Sequence, residues 1–424
     1  MQQASRAGVA PVGKDTTGRR HDWRTAFILV TSLFFMWGLS YGLLDVLNKH
    51  FQDVLHVSKA QSGLLQGAYF GAYFVMAIPA ALLMERFGYK RGILLGLTLY
   101  AIGALLFIPA SAAASFSFFL FALFVIAAGL GCLETAANPY VTELGAPETA
   151  ERRLNLSQSF NGLGSFLGPL IGGTFFFQAA PSASTASAVA SGAESGLDSV
   201  RATYVAIAVI VVLLALLIAR TPMPDIRRAA SPAQRAAGAS LWSRPHFVGG
   251  IVAQFFYVAA QVGVGAFFIN YAIVHWPALT AQRASFLLSV ALLLFMAGRF
   301  VSTALMGRIS PAALLSVYAL ANVALSVVVL AGIPVVSVLA LIAVFFFMSI
   351  MFPTIFALGV KDLGPQTKRG ASYQVMSIVG GAIMPYAMGR VADGAGVSMA
   401  YALPLVCFAI VAWYGWRGSR VAGA

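Results

Sequence analysis

The sequence predicts an all-α membrane protein, with 12 transmembrane helices arranged as two related six-helix bundles. Three observations carry this expectation. Of 424 residues, 59% are hydrophobic and only 10% charged, and the mean hydropathy is +0.84; a soluble domain is about half apolar and about a quarter charged. The apolar residues fall in runs near the roughly 20 residues that one helix needs to cross a bilayer. The second half of the chain also repeats landmarks of the first.

The runs in the first half lie at 25–48, 60–84, 91–110, 116–144, 154–178 and 202–219. Those in the second lie at 246–274, 284–306, 312–331, 335–359, 370–392 and 398–416. Each must be helical, because an isolated strand in lipid leaves its backbone polar groups unpaired. The polar residues 1–24 form an arm with no apolar core of a cleavable leader. Residues 25–219 and 246–416 are then the two bundles, and 417–424 a short tail. Residues 179–200, rich in Ala, Ser and Gly, read as a flexible external loop. Residues 220–245, with Pro222, Pro224, Pro232 and five arginines, read as a cytoplasmic linker.

A net charge of +13 and a pI near 10.0 would suggest nucleic acid in a soluble chain. Here 21 of the 27 basic residues fall on one side of the bilayer once the N-terminus is placed inside. Among them are Arg19, Arg20, Arg24, Lys90, Arg91, Arg227, Arg228, Lys368 and Arg417. That asymmetry orients both termini to the cytoplasm and accounts for the charge without nucleic acid. The expected partners are a lipid bilayer and a small solute, handled by a monomer in a bacterial cell inner membrane.

The repeat is local and specific. Asn138-Pro139-Tyr140-Val141-Thr142-Glu143-Leu144-Gly145 is matched by Phe352-Pro353-Thr354-Ile355-Phe356-Ala357-Leu358-Gly359. Pro139 and Pro353 stand 214 apart, as do Gly145 and Gly359, while Gln158 and Gln374 stand 216 apart. Parallel six-helix repeats are a transporter architecture with the substrate site at the midplane between them.

Charges inside spans carry the chemistry. A carboxylate at a helix centre costs roughly 2.5–3.5 kcal/mol on insertion scales. Asp45 lies in the first span, toward its outer end; Glu134, near Gly129 and Gly131, lies in the inner half of the fourth. Both read as proton or cation sites, against the plainer reading of a cap or a partner to a buried arginine. Arg299 is the one base well inside a span and reads as a snorkelling side chain or a conformational latch. Amides at Gln66, Asn138, Gln158, Asn161, Gln261, Asn270 and Gln374, with aromatics at Trp37, Tyr41, Tyr69, Tyr73, Phe160, Phe268 and Phe352, suit a sugar. Amides donate and accept as hydroxyls require, and aromatic faces meet the apolar face of a pyranose. The competing reading is that amides join helices. Gln158 and Asn161, spaced i,i+3 on one helix face, favour the site. Gly162, Gly164, Gly168, Gly172, Gly173, Gly380 and Gly381 read as close helix packing. Glu85-Arg86-Phe87-Gly88-Tyr89-Lys90-Arg91 reads as a latch or as topology charge alone.

His21, His50, His56, His246 and His275 lie at span ends or outside them, and Cys132 and Cys407 lie in apolar runs. These give no metal site and no disulfide framework. The sequence carries no phosphate-binding loop and no nucleophile–base arrangement. The expectation is a secondary transporter: no enzyme, no catalytic residue, no metal and no cofactor beyond a coupling ion.

Several segments together resemble the major facilitator superfamily, and within it the fucose/galactose/glucose cation-symporter family. They are Phe34-Phe35-Met36-Trp37-Gly38 with Asp45, Gly129-Leu130-Gly131-Cys132-Leu133-Glu134-Thr135-Ala136-Ala137-Asn138-Pro139, Arg153-Leu154-Asn155-Leu156-Ser157-Gln158-Ser159-Phe160-Asn161 and Ser349-Ile350-Met351-Phe352-Pro353. The likeness runs from Phe27 to Trp416. It implies import of a hexose or deoxyhexose by symport with H+ or, as in some members, Na+. It implies that Asp45 and Glu134 are the coupling acids, with Glu134 near the sugar, and that Trp37, Gln158 and Asn161 contact it. Two departures matter. Tyr41, Gly42, Leu43 and Leu44 stand where the fucose-specific pattern has asparagines, and Phe352 where it has tyrosine. Glucose, galactose or mannose is therefore at least as good an expectation as L-fucose. The alternative on this fold is an exporter of amphipathic compounds by H+ antiport.

Overall fold

The computed structural model describes residues 23–144, 150–177, 186–224, 241–306, 308–363 and 367–420. Among them all regular structure is helical and forms twelve rods. In the first half α1 is Trp23–Leu55, and α2 starts as Lys59–Ser62 and continues as Leu64–Phe87. Then come α3, Tyr89–Ala112, α4, Phe116–Glu143, α5, Ala150–Phe176, and α6, Ala186–Arg220. In the second half α7 is Pro245–His275, α8 Ala281–Leu305, α9 Pro311–Ala331 and α10 Val336–Gly359. The pieces Thr367–Met376, Ser377–Val379 and Gly380–Ala395 make α11, and Val397–Gly418 is α12.

Ten of the twelve rods are long and apolar enough to cross a bilayer by themselves, and α2 does so as a bent pair. The remaining rod, α5, is diluted by its own Gln158, Asn161 and glycines. Its polarity makes sense only if one face avoids lipid. The sequence-based loop over 179–200 is too long: α6 begins at Ala186. Alanine is the strongest helix former, so an Ala-rich stretch extends the rod rather than interrupting it. Most of the 220–245 linker lies outside the described residues, as do residues 1–22.

Consecutive rods alternate direction. Lys90 donates to the carbonyls of Ala219 and Thr221 at 2.9 and 2.8 Å, tying the start of α3 to the end of α6. Tyr414 donates to the His246 carbonyl at 3.2 Å, tying the end of α12 to the start of α7. The start of α1 and the end of α12, with most of the described arginines and lysines, lie at this end of the bundle, the basic end. At the far end His50 meets the Gly196 carbonyl and His275 bonds Ser398 at 2.6 Å.

Within the first half, α1 and α5 make the closest seam. A Cβ at Gly168 would stand 2.6 Å from the Gly42 Cα, and one at Gly38 would overlap the Asn161 carbonyl. The two Gly-x-x-x-Gly pairs, Gly38/Gly42 and Gly164/Gly168, let the backbones touch. The packing reading of the glycines therefore holds.

Candidate functional site

The two halves meet mainly toward the far end. A Cβ at Gly63 of α2 would lie 2.6 Å from the Pro385 backbone of α11, and one at Gly381 would lie 3.2 Å from the Phe70 ring. Gly173 of α5 abuts Ser285 of α8, and one turn past mid-bundle Gly162 faces the Met296 sulfur. Asp393 of α11 accepts backbone hydrogen bonds from Lys59 and Ala60 at 3.1 and 2.9 Å, with the Lys59 ammonium 3.8 Å away. These hydrogen bonds and this ion pair join the halves. Several polar and aromatic side chains at mid-span are only half-buried.

Those side chains are largely the ones expected from sequence. Trp37 and Tyr41 of α1, Glu134 and Asn138 of α4, Gln158 and Asn161 of α5, Gln261 of α7 and Phe352 of α10 are all half-buried. Gln158 donates to the Asn138 side-chain oxygen at 3.2 Å, so the pair acts as one polar patch. Asn161 donates to the Phe34 carbonyl at 3.2 Å, which fixes its amide and points the other half away from α1. Phe352 lies edge-on to Tyr257, ring centres 6.5 Å apart, and Trp37 tilts against Phe34. Gln158 and Asn138 are thus joined into one pair, and the other expected side chains share with them an intermediate burial at mid-span.

Asp45 is not among them. It is 2% exposed and sits against Gly265 of α7, where a Cβ would come within 2.7 Å of its Oδ2. Among the described residues it has no ion pair. Its polar neighbour is Gln66, fully buried. Gln66 accepts from Asn48 at 3.1 Å. Gln52 donates to Asn48 and to the Ser62 hydroxyl, both at 2.8 Å, and Ser62 donates to Asn48 at 3.1 Å. Gln66 is therefore part of a network that joins α1 to α2 above Asp45, and it is not among the half-buried side chains. Sequence reasoning missed this network: ending the first helix at residue 48 left Gln52 outside any span, and Asn48 and Ser62, at span ends, were passed over. The i,i+4 spacing of Asn48–Gln52 and of Ser62–Gln66 was the available signal.

Two other expectations change. Gln374 is fully buried, wedged between Gly250 of α7 and Gly359 of α10, and is not brought to the site. Its repeat mate Gln158 is, so the two halves use one sequence position differently. Arg299, expected to snorkel or to act as a latch, bonds within the second half. Its Nε donates to the Ser349 carbonyl at 3.2 Å within the second half, and its guanidinium lies 4.8 Å from the Phe295 ring centre. The cause is local: α10 breaks after Met348. Pro353 has no N–H for the Ser349 carbonyl four residues back, so Arg299 supplies the donor. Tyr257 does the same for the Met348 carbonyl at 2.9 Å. A broken helix at mid-bundle is a recurrent feature of transporter sites. Arg86 is exposed and stacks on Phe87; the Glu85 side chain lies outside the described residues.

A model of the Major Facilitator Superfamily matches residues 26–385. The L-fucose-proton symporter of Escherichia coli (strain K12) is 39% identical over 413 residues, covering 94% of each chain. A glucose/galactose transporter of Brucella abortus biovar 1 (strain 9-941) is 38% identical over 417 residues, covering 97% of this chain and 98% of its own. Among solved structures, a crystal structure of the transporter FucP in the outward conformation is 38% identical, with a TM-score of 0.69 over 94% of this chain and all of that one. The D-xylose-proton symporter, 12% identical, superposes with a TM-score of 0.77 over 93% of this chain and 97% of its own, and shares the fold. With near-complete coverage at this identity, the chain belongs to the Major Facilitator Superfamily, in the branch that holds these fucose and glucose/galactose transporters.

Proposed function

We propose that this chain imports a monosaccharide, a hexose or deoxyhexose, by proton-coupled symport through alternating access. The single observation behind this reading is the unequal burial of two membrane-embedded acids. Asp45 is sealed against Gly265 without a cation, while Glu134 is half-buried at mid-span, as the amides and aromatics are. A carboxyl buried without a countercharge is tolerated when protonated and strongly disfavoured when charged. Closing the far end over Asp45 therefore requires it to carry a proton, which couples the rearrangement to proton uptake. On this reading Glu134, Gln158, Asn138, Asn161, Gln261, Trp37, Tyr41 and Phe352 hold the sugar. The relatives, named as L-fucose-proton and glucose/galactose transporters, support a sugar substrate. The apolar Phe352 supports glucose, galactose or mannose at least as well as L-fucose.

The basic end is the cytoplasmic side of a bacterial inner membrane by the positive-inside rule, with both chain termini there. On this orientation the contacts between the halves toward the far end support an inward-facing reading of the arrangement. Each chain contains a whole site, so it works as a monomer with no cofactor and no catalytic chemistry. Ligands drive such a cycle only through their different affinities for the two states.

The test is counterflow of labelled hexoses in proteoliposomes, then uptake under an imposed proton or sodium gradient. Wild-type protein should exchange at least one hexose and accumulate it under a proton gradient alone. Glu134→Gln should lower both by tenfold or more. Exchange of no hexose, or net export of amphipathic compounds in its place, would overturn the assignment.

A further inference from the structure

The closed far end holds a concavity of its own. Its volume is about 340 Å³, and it is lined by Lys49, Gln52 and Asp53 of α1, Lys59 of α2, Asn270 of α7 and Asp393 of α11. That size falls in the range of small-molecule sites, about 300–1,000 Å³. Lys49 and Trp37 are both on α1, and the residues between them span about 18 Å at a rise of about 1.5 Å each. The concavity is therefore separate from the mid-span side chains, Trp37 among them. Its walls come from both halves, so it is assembled only when the halves meet at this end.

The chemistry of the walls is mixed and balanced. The Lys49 ammonium pairs with Asp53, and the Lys59 ammonium lies 3.8 Å from Asp393. Two cations thus face two carboxylates, and neither sign is in excess. Both N–H groups of the Gln52 amide are engaged, by Asn48 and Ser62, which leaves its oxygen to accept. Asn270 is 3% exposed, and its side-chain nitrogen has no hydrogen-bond partner among the described residues. A buried donor left unpaired costs free energy, and an oxygen of a bound solute would supply the missing partner. An ion of either sign would upset the charge balance. A neutral polyol, whose hydroxyls each donate and accept, matches ammonium and amide donors together with carboxylate and amide acceptors.

We propose that this concavity is a regulatory site for a neutral polyhydroxylated solute, a monosaccharide or sugar alcohol, which binds from the far side and holds the far end closed. From the transport reading above it takes only that the far end faces out; binding itself does not depend on transport. A ligand that binds one of two states shifts the population toward that state. Solute bound here keeps the carrier from opening outward, so it slows exchange without being carried.

The experiment places a cysteine at Val274, an exposed residue of the rim, in the Glu134→Gln protein, where the mid-span site is weakened. The thiol is labelled in proteoliposomes with an impermeant maleimide. D-Galactose and D-mannitol are the neutral probes, and D-gluconate and D-glucosamine the charged ones. At millimolar concentration at least one neutral probe should slow labelling threefold or more, and the charged probes should slow it less. Asn270→Leu should abolish the protection and leave the thermal stability of the unliganded protein intact, because it removes an unpaired polar group and keeps the volume. Asp53→Asn, at an exposed position, should weaken the protection with no risk to the core. D-Mannitol outside should also slow hexose counterflow by wild-type protein and leave Asn270→Leu unaffected. No protection by either neutral probe, protection that survives Asn270→Leu, or equal protection by D-gluconate would overturn the site. Protection with no slowing of counterflow would overturn its regulatory role. Protection in a wild-type protein that exchanges no hexose would overturn the transport reading and leave the site standing.

Discussion

The Asp45 carboxyl rests on Gly265 across the seam between the two halves, so close that a methyl group at 265 would stand 2.7 Å from Oδ2. The contact joins a titratable group of α1 to bare backbone of α7. On the proposed reading, closure of the far end depends on Gly265 having no side chain and on Asp45 having no charge. Gly265→Ala should therefore disfavour the closed arrangement without touching Glu134, Gln158 or Asn161. The expected result is at least a tenfold slower counterflow, together with faster thiol labelling of Ala60→Cys at the far end. The native cysteines, Cys132 and Cys407, are both buried, so the labelling background is low. Unchanged labelling would remove the contact from the closure.

Neutralising the acid tests the other side of the same contact. Asp45→Asn keeps the shape and removes the charge, so the far end can close without a proton. Exchange should persist within a fewfold of wild type, while accumulation under a proton gradient should fall to the equilibrium level. Accumulation that survives in Asp45→Asn would show that coupling resides elsewhere.

The clasp at the far end divides into two parts of unequal worth. The Lys59–Asp393 pair is 3.8 Å apart with both side chains about one-third exposed, and such pairs contribute little, roughly 0–1 kcal/mol. The two backbone hydrogen bonds from Lys59 and Ala60 to Asp393 act as a cap on the first turn of α2, and loss of a cap costs about 0.5–2 kcal/mol. Asp393→Ala should thus shift the balance between states several-fold, and Lys59→Ala barely. Spin-label distances between positions 57 and 397 measure this: a longer-distance population should grow in Asp393→Ala only. Equal effects from the two variants would mean that the charge pair carries the clasp.

The architecture was legible because lipid imposes simple rules. Apolar runs mark spans, and basic residues mark one end. The site was legible where polar groups stand out against hydrocarbon, as at Glu134, Gln158 and Asn161. It was not legible where sequence cannot say which way a polar side chain faces. Gln66 and Gln374 were indistinguishable from Gln158 in the chain, yet one closes a network with Asn48 and the other fills a gap between Gly250 and Gly359. Arg299 read as a snorkelling side chain or a latch because it is the one base well inside a span. That its partner is a carbonyl released by Pro353, rather than an acid, required the break in α10 to be seen.

That break makes the last prediction a double-mutant cycle. Arg299→Leu leaves the Ser349 carbonyl buried without a donor, which costs about 1–3 kcal/mol and should lower thermal stability clearly. Pro353→Ala restores an N–H four residues on and lets the α10 ladder supply the bond itself. In that background Arg299→Leu should cost much less, because the carbonyl no longer depends on the guanidinium. The cycle, read from thermal unfolding of the four proteins in detergent, should show a coupling of the same order as the single Arg299→Leu effect. Additive losses would mean that Arg299 acts through Phe295, 4.8 Å from its guanidinium, and not through the broken helix. Counterflow measured on the same proteins separates stability from transport. Pro353→Ala straightens a helix beside Phe352, so it should slow exchange even where it leaves the fold intact.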